Sequence, residues 1–225
     1  DELMTMLQEL GLKSVALSAH MDLTGKGATK EFAQRMEFAK ALSVQFVITN
    51  ISPKESRRVF IANLKSLLPL AEDLGMMIGL ESPGHVLTSR SEYEGLLQEL
   101  DSPLVGLNLD IGNVFTASLG TVNPIEDLVY LMDHICHFHV KDAVLRGEVW
   151  RFTPLGDGEL GYGEILSAIT GEKRQIPVSI EMPLSLEGKG RAPAYLTPRK
   201  ISYSEIVQKL RDSKLFAERH LYRSE

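Results

Sequence analysis

Cysteine occurs once in the 225 residues, at Cys136, so no disulfide can close within the chain and a cysteine-rich zinc site is excluded. Cys136 lies in an apolar run and reads as a small buried residue rather than a nucleophile. No apolar stretch approaches the ~18 residues that a membrane-spanning helix requires. The first residues also lack the charged and apolar regions of a secretory leader. Positive charge is not in excess either. Against 30 Asp and Glu there are 24 Lys and Arg, a net charge of −6, which speaks against a phosphate backbone as partner. No Pro/Gly/Ser-rich linker, internal repeat or low-complexity tract interrupts the chain, so residues 1–225 read as a single domain. The expectation is a protein of a reducing, cytoplasmic compartment, with no membrane or nucleic-acid partner and with self-association left open. The chain also opens at Asp1 without an initiator methionine, directly into an amphipathic stretch (Leu3, Met6, Leu7, Leu10). That suggests a piece of a longer protein.

What is present is an alternation of short apolar or β-branched runs with helical-period segments, the pattern of a parallel sheet with crossover helices. The runs read as strands are SVALSA, QFVITN, MMIGLE, VGLNLD, CHFHVK and PVSIEM. Between Lys54 and Leu74 the apolar residues Phe60, Leu64, Leu67, Ala71 and Leu74 fall on one helical stripe. Gly75 is placed to end that helix in a left-handed cap, and Pro69 should kink or restart it. Ser89 with Glu92 has the spacing of a capping box, and Tyr93, Leu96, Leu97 and Leu100 form the buried face behind it. Asn123 followed by Pro124 opens another helix. Ser204 is expected to cap the last one, with Ile206, Val207 and Leu210 inward.

Four of the six strands carry an ionisable residue at or near the carboxyl end: Glu81, Asp110, His139 and Glu181. Each alone has an ordinary explanation. An acid after a strand is often the N-cap of the next helix, and a strand histidine is commonly a satisfied core residue. Together they are harder to dismiss, because carboxylates ending apolar strands are expensive to bury unless paired or bound to metal. In parallel barrels the carboxyl ends of the strands converge on one face. Three carboxylates and an imidazole suit Mn²⁺ first, with Mg²⁺, Co²⁺ and Zn²⁺ as alternatives.

The motifs GLESPG, GLNLDIGN, HFHVKD, PLGDGELGYGEIL and VSIEMP, in this order and spacing, resemble the xylose-isomerase-like barrel superfamily of sugar isomerases and epimerases, with ketose 3-epimerases among the nearest branches. The likeness runs from Ser14 to Pro183. It implies a (β/α)8 TIM barrel lacking its first one or two strands in this chain, with Glu81, Asp110, His139 and Glu181 as ligands of one divalent ion. It also implies an enzyme that moves a proton next to the carbonyl of a sugar or sugar phosphate through a metal-bound enediolate. Glu81 and Glu181 are the candidate proton-transfer pair. One departure stands out: many epimerases have a histidine three residues after the ligand aspartate, where this sequence has Asn113, an amide that cannot carry a proton in the same way.

Asn113, Asp142, His20 and Arg146 are the candidate substrate contacts. For Asp142, capping of a loop is an equal alternative, and for Arg146 a solvated surface position. Asn50 and Arg191 join them as further candidates, while His137, deeper on its strand, reads as a bonded core residue. The glycines at 156, 158, 161 and 163 could cradle a phosphate but are better explained by a tight loop before a helix. The alternative on the same site is a lyase or dehydratase acting on a keto-sugar, keto-glycoside or inosose. Less favoured are a non-catalytic sugar-binding protein and an AP-type endonuclease. The endonuclease reading suffers from Asn113 and from the lack of an Asp-x-His after His139.

Overall fold

The computed structural model describes residues 2–81, 89–170 and 175–222. All six apolar runs form strands: β1 (Ala16–Ser18), β2 (Phe46–Asn50), β3 (Met77–Glu81), β4 (Val105–Asp110), β5 (Ile135–Val140) and β8 (Val178–Ile180). Among the described residues they make one six-stranded sheet ordered β1-β2-β3-β4-β5-β8. The pairs β1–β2, β2–β3, β3–β4 and β5–β8 are parallel, with Glu81 opposite Asn50 and His139 opposite Ser179. Runs this uniformly apolar suit parallel strands, which are covered on both faces. Of the GLESPG motif, the segment after Glu81 lies outside the described residues.

By packing, the chain divides into two compact units, Asp1–Glu81 with Tyr93–Asn108 and Ser82–Glu92 with Leu109–Glu225. In the first unit, helices α2 (Ala28–Ala41) and α3 (Arg57–Leu74) contribute Phe32, Met36, Phe60 and Leu64 to a core shared with Val47, Ile78 and Leu80. The α3 helix opens with a 3-10 turn at Lys54–Ser56 and ends at Gly75 in the left-handed conformation expected of it. It continues unbroken through Pro69 rather than restarting there. Pro69 faces solvent, so the carbonyl that loses its helical donor can turn to water. Helix α4 (Arg90–Leu100) buries Tyr93, Leu96 and Leu100. The amphipathic first helix, α1 (Glu2–Glu9), buries none of its residues.

In the second unit α5 (Ile111–Ser118) follows β4 directly, and Asn123 caps α6 (Pro124–Leu131) as the sequence suggests. A second sheet was not expected. The strands β6 (Asp142–Arg146), β7 (Val149–Thr153), β9 (Leu186–Lys189) and β10 (Tyr195–Leu196) form an antiparallel sheet ordered β10-β9-β7-β6. Its hairpin turns at Gly147, whose φ of 63° belongs to the left-handed region that glycine tolerates. Helices α7 (Tyr162–Thr170) and α8 (Tyr203–Leu221) pack on each other. The cap of α8 is Ser202, not Ser204: its hydroxyl accepts from the Glu205 N–H at 3.2 Å. The buried residues of α8 are Ser213 and Ala217, while Ile206 and Leu210 stay exposed, because the C-terminal half of the helix makes the contact, Phe216 lying against Gly156 and His220 against Gly163.

Candidate metal centre

Asp110 closes β4 and starts α5. Its Oδ1 accepts from the Asn113 N–H at 2.9 Å, so it is an N-cap. Its Oδ2 has a different role, lying 2.7 Å from the Lys141 ammonium and 3.9 Å from His139 Nδ1. The helix-cap explanation and the ligand explanation therefore use different oxygens of one carboxylate. On β5 and just after it, His137, His139 and Lys141 alternate onto one side of the strand. His137, the deepest, pairs its Nε2 with Ser179 Oγ at 3.0 Å, and its ring meets that of His139 edge-on at 5.3 Å. His139 Nδ1 lies 3.2 Å from Glu181 Oε2.

Glu181 follows β8, and its backbone N–H donates to the Val140 carbonyl at 3.0 Å. Its second oxygen, Oε1, is 2.9 Å from Lys141 Nζ. Burial pushes the Glu181 carboxyl up, but His139 and Lys141 outweigh it and hold the group below its ordinary value. Burial likewise opposes the charge on Lys141, and Asp110 and Glu181 overcome it, so its pKa is raised. Both directions favour the charged forms of Glu181 and Lys141. One atom from each of Asp110, His139 and Glu181 lies within 4.8 Å of the others.

In the first unit, Glu81 ends β3, buried, with Oε2 accepting from Asn108 Nδ2 and facing His20 Nε2 at 3.2 Å. Asn108 stands two residues before Asp110 and so on the same side of β4. Asn50 lies opposite Glu81 in the strand register.

Lys141 was missed as a site residue in the sequence, although its place two residues after His139 puts it on the ligand face. Its ammonium donates to Asn113 Oδ1 at 3.1 Å as well as meeting the two acids. Asn113 is thereby held at the centre, with its amide oxygen towards the lysine. Two expected substrate contacts are placed elsewhere. Asp142 is buried, and its carboxylate accepts from the backbone N–H groups of Ala143, Gly156, Gly158 and Leu160. The glycine-rich loop thus wraps an anion that the chain itself supplies. Burial, the largest influence, raises the Asp142 pKa while those donors pull it down. Arg146 extends into solvent and pairs with Glu159. Its side chain sits at the edge of a hairpin, where hydration and the neighbouring acid satisfy it. Arg191, by contrast, borders a cavity of about 860 Å³ in the second unit, lined also by Asn113, Lys141, Glu181, Trp150 and Leu186.

The profile of the xylose isomerase-like TIM barrel family matches residues 1–201. The chain belongs to that family. Solved structures with the same fold include a xylose isomerase domain protein from Planctomyces limnophilus, 19% identical over 97% of this chain and 83% of that one, with a TM-score of 0.73. An IOLI protein with a bound zinc atom is 23% identical, with 99% and 84% coverage and a TM-score of 0.72. The apo form of a 3-keto-D-glucoside 4-epimerase from E. coli is 15% identical, with 96% and 83% coverage and a TM-score of 0.71. No functionally curated protein matches the sequence significantly. Within this family member, hard carboxylate oxygens from Asp110 and Glu181 beside the His139 imidazole make a donor set that fits a divalent cation. No helix among the described residues is long and apolar enough to cross a membrane.

Proposed function

We propose that this protein is a divalent-metal-dependent isomerase or epimerase acting on a sugar or sugar phosphate. The observation that carries the reading is the convergence of Asp110, His139 and Glu181, with Glu181 lining a cavity. Glu81 is the fourth ligand in this proposal. It is buried at the end of its strand and bonded to Asn108, which shares a side of β4 with Asp110. Mn²⁺ is the ion proposed.

A divalent cation held by these residues would supply Lewis acidity towards a sugar carbonyl. Glu181, kept ionised by Lys141 and His139, takes the proton from the carbon next to the carbonyl. The electron pair left behind moves onto the carbonyl oxygen to give an enediolate; Glu81, entering the step as the carboxylic acid, returns a proton to carbon and ends as the carboxylate, while Glu181 ends protonated. His20, 3.2 Å from Glu81, orients that carboxylate or touches the substrate.

Incubation of the Mn²⁺-loaded protein with a panel of ketoses in D₂O tests this. Deuterium should enter the recovered sugar at the carbon beside the carbonyl, and Glu181→Gln should slow the exchange about 100-fold or more while sugar binding persists. Exchange that survives Glu181→Gln unchanged would remove the assigned base.

One observation favours the lyase alternative on the same residues. At roughly 30 Å³ of liquid volume per water-sized group, a cavity of about 860 Å³ has room beyond a single sugar ring. A keto-glycoside losing its aglycone would use that room, and release of aglycone without recovery of deuterated sugar would decide for it.

A further inference from the structure

We infer that Lys141 is a built-in counter-cation of the metal centre, a positioning residue that holds the empty cage together and weakens its grip on a divalent ion. The inference rests on the metal-binding reading above and on contacts within the second unit.

The Lys141 ammonium donates a hydrogen bond to Asn113 Oδ1 at 3.1 Å and is ion-paired with Asp110 Oδ2 at 2.7 Å and Glu181 Oε1 at 2.9 Å. Its charge lies against these side chains, and it acts through them rather than by reaching for a substrate. The residue is also held from behind. The Tyr162 hydroxyl accepts from the Lys141 N–H at 2.8 Å and donates to the Lys141 carbonyl at 3.2 Å. Gly112 packs so closely that an added Cβ would fall 2.3 Å from that carbonyl and 2.9 Å from the lysine Cβ. The Phe152 ring lies 5.4 Å from the ammonium. These contacts fix the backbone and the first atoms of the side chain from which the ammonium projects.

Two consequences follow from its charge. In the metal-free protein the lysine offsets Asp110, which is buried, and Glu181, which is half-buried; without it the two carboxylates would repel each other. A divalent ion entering beside His139 then meets a resident positive charge that it must tolerate. The retained charge has a use, because it helps the centre accept the negative charge of an enediolate. Weaker metal binding is thus the cost of a site less negative during reaction.

The test measures Mn²⁺ affinity of the chelator-stripped full chain by calorimetry and by electron paramagnetic resonance of the free ion, together with thermal unfolding with and without Mn²⁺. Lys141→Met should bind Mn²⁺ about tenfold tighter or more. Its metal-free form should melt lower than wild type, and saturating Mn²⁺ should restore most of that loss. Lys141→Gln, which keeps hydrogen-bonding capacity without charge, should shift affinity in the same direction and serves if the methionine variant does not fold. Lys141→Arg should stay within about threefold of wild type, since the charge is kept. Wild-type binding of Mn²⁺ with unchanged or weaker binding by both neutral variants would overturn the counter-cation role alone. No Mn²⁺ binding by the wild-type protein at millimolar ion would overturn the metal reading, and this inference with it.

Discussion

A buried carboxylate has to find either a cation or several well-aimed donors, and this chain contains both solutions one residue apart. Lys141 is the cation that Asp110 and Glu181 find, whereas Asp142 is satisfied by four backbone N–H groups of its own loop. Replacing Asp142 with Asn keeps the shape but turns one end of the side chain into a donor facing donors. Hydrogen bonds to a charged group are worth roughly 1.5–3 kcal/mol each, so Asp142→Asn should lower unfolding free energy by about 3 kcal/mol, read from urea denaturation. Mn²⁺ affinity should change little, which separates a loop-organising residue from a ligand. The two readings that the sequence left open for this residue differ in that measurement.

At the level of elements, the close passage of α5 against the end of β5 sets where the Lys141 ammonium sits. Gly112 makes the approach achievable, since any Cβ there would strike the Lys141 carbonyl and the first atoms of its side chain. Because the obstructing atom is backbone, relief has to come from moving the helix or the strand end. Gly112→Ala should therefore cost about 2 kcal/mol in stability and also alter Mn²⁺ affinity. Unchanged affinity in a folded Gly112→Ala protein would show that the passage does not position the centre. The second sheet works at the same scale. VWRFT alternates buried and exposed residues on β7, placing Trp150 and Phe152 inward. That alternation is local, but the strands that complete the sheet, β9 and β10, come only after α7 and β8.

For the whole molecule, the cluster ties stability to pH. The folded-state pKa of Glu181 lies below its ordinary value of 4.5. Its contribution is then present above that ordinary value and lost as pH falls through the lower, folded one. The metal-free protein should lose stability progressively below about pH 4.5, and Glu181→Gln should flatten that acid limb. Unfolding curves in urea across this range, taken after chelation, check it; an acid limb identical in the variant would show that Glu181 gains nothing from His139 and Lys141.

Much of this protein could be read from the order of its residues. The apolar runs are long and pure enough to be strands in any parallel sheet, Gly75 and Asn123 are conformationally suited to their caps, and four ionisable residues recur at strand ends. Those features are local, and local sterics and hydrophobic patterning decide them. The rest depended on which distant groups meet. Nothing in HFHVKD states that its lysine will find an aspartate thirty-one positions back and a glutamate forty positions on, or that Asp142 will instead be claimed by a glycine loop. Ser202 rather than Ser204 caps the last helix, its hydroxyl accepting from the Glu205 N–H. Charge pairing and packing are three-dimensional, so only the fold could assign each buried charge its partner.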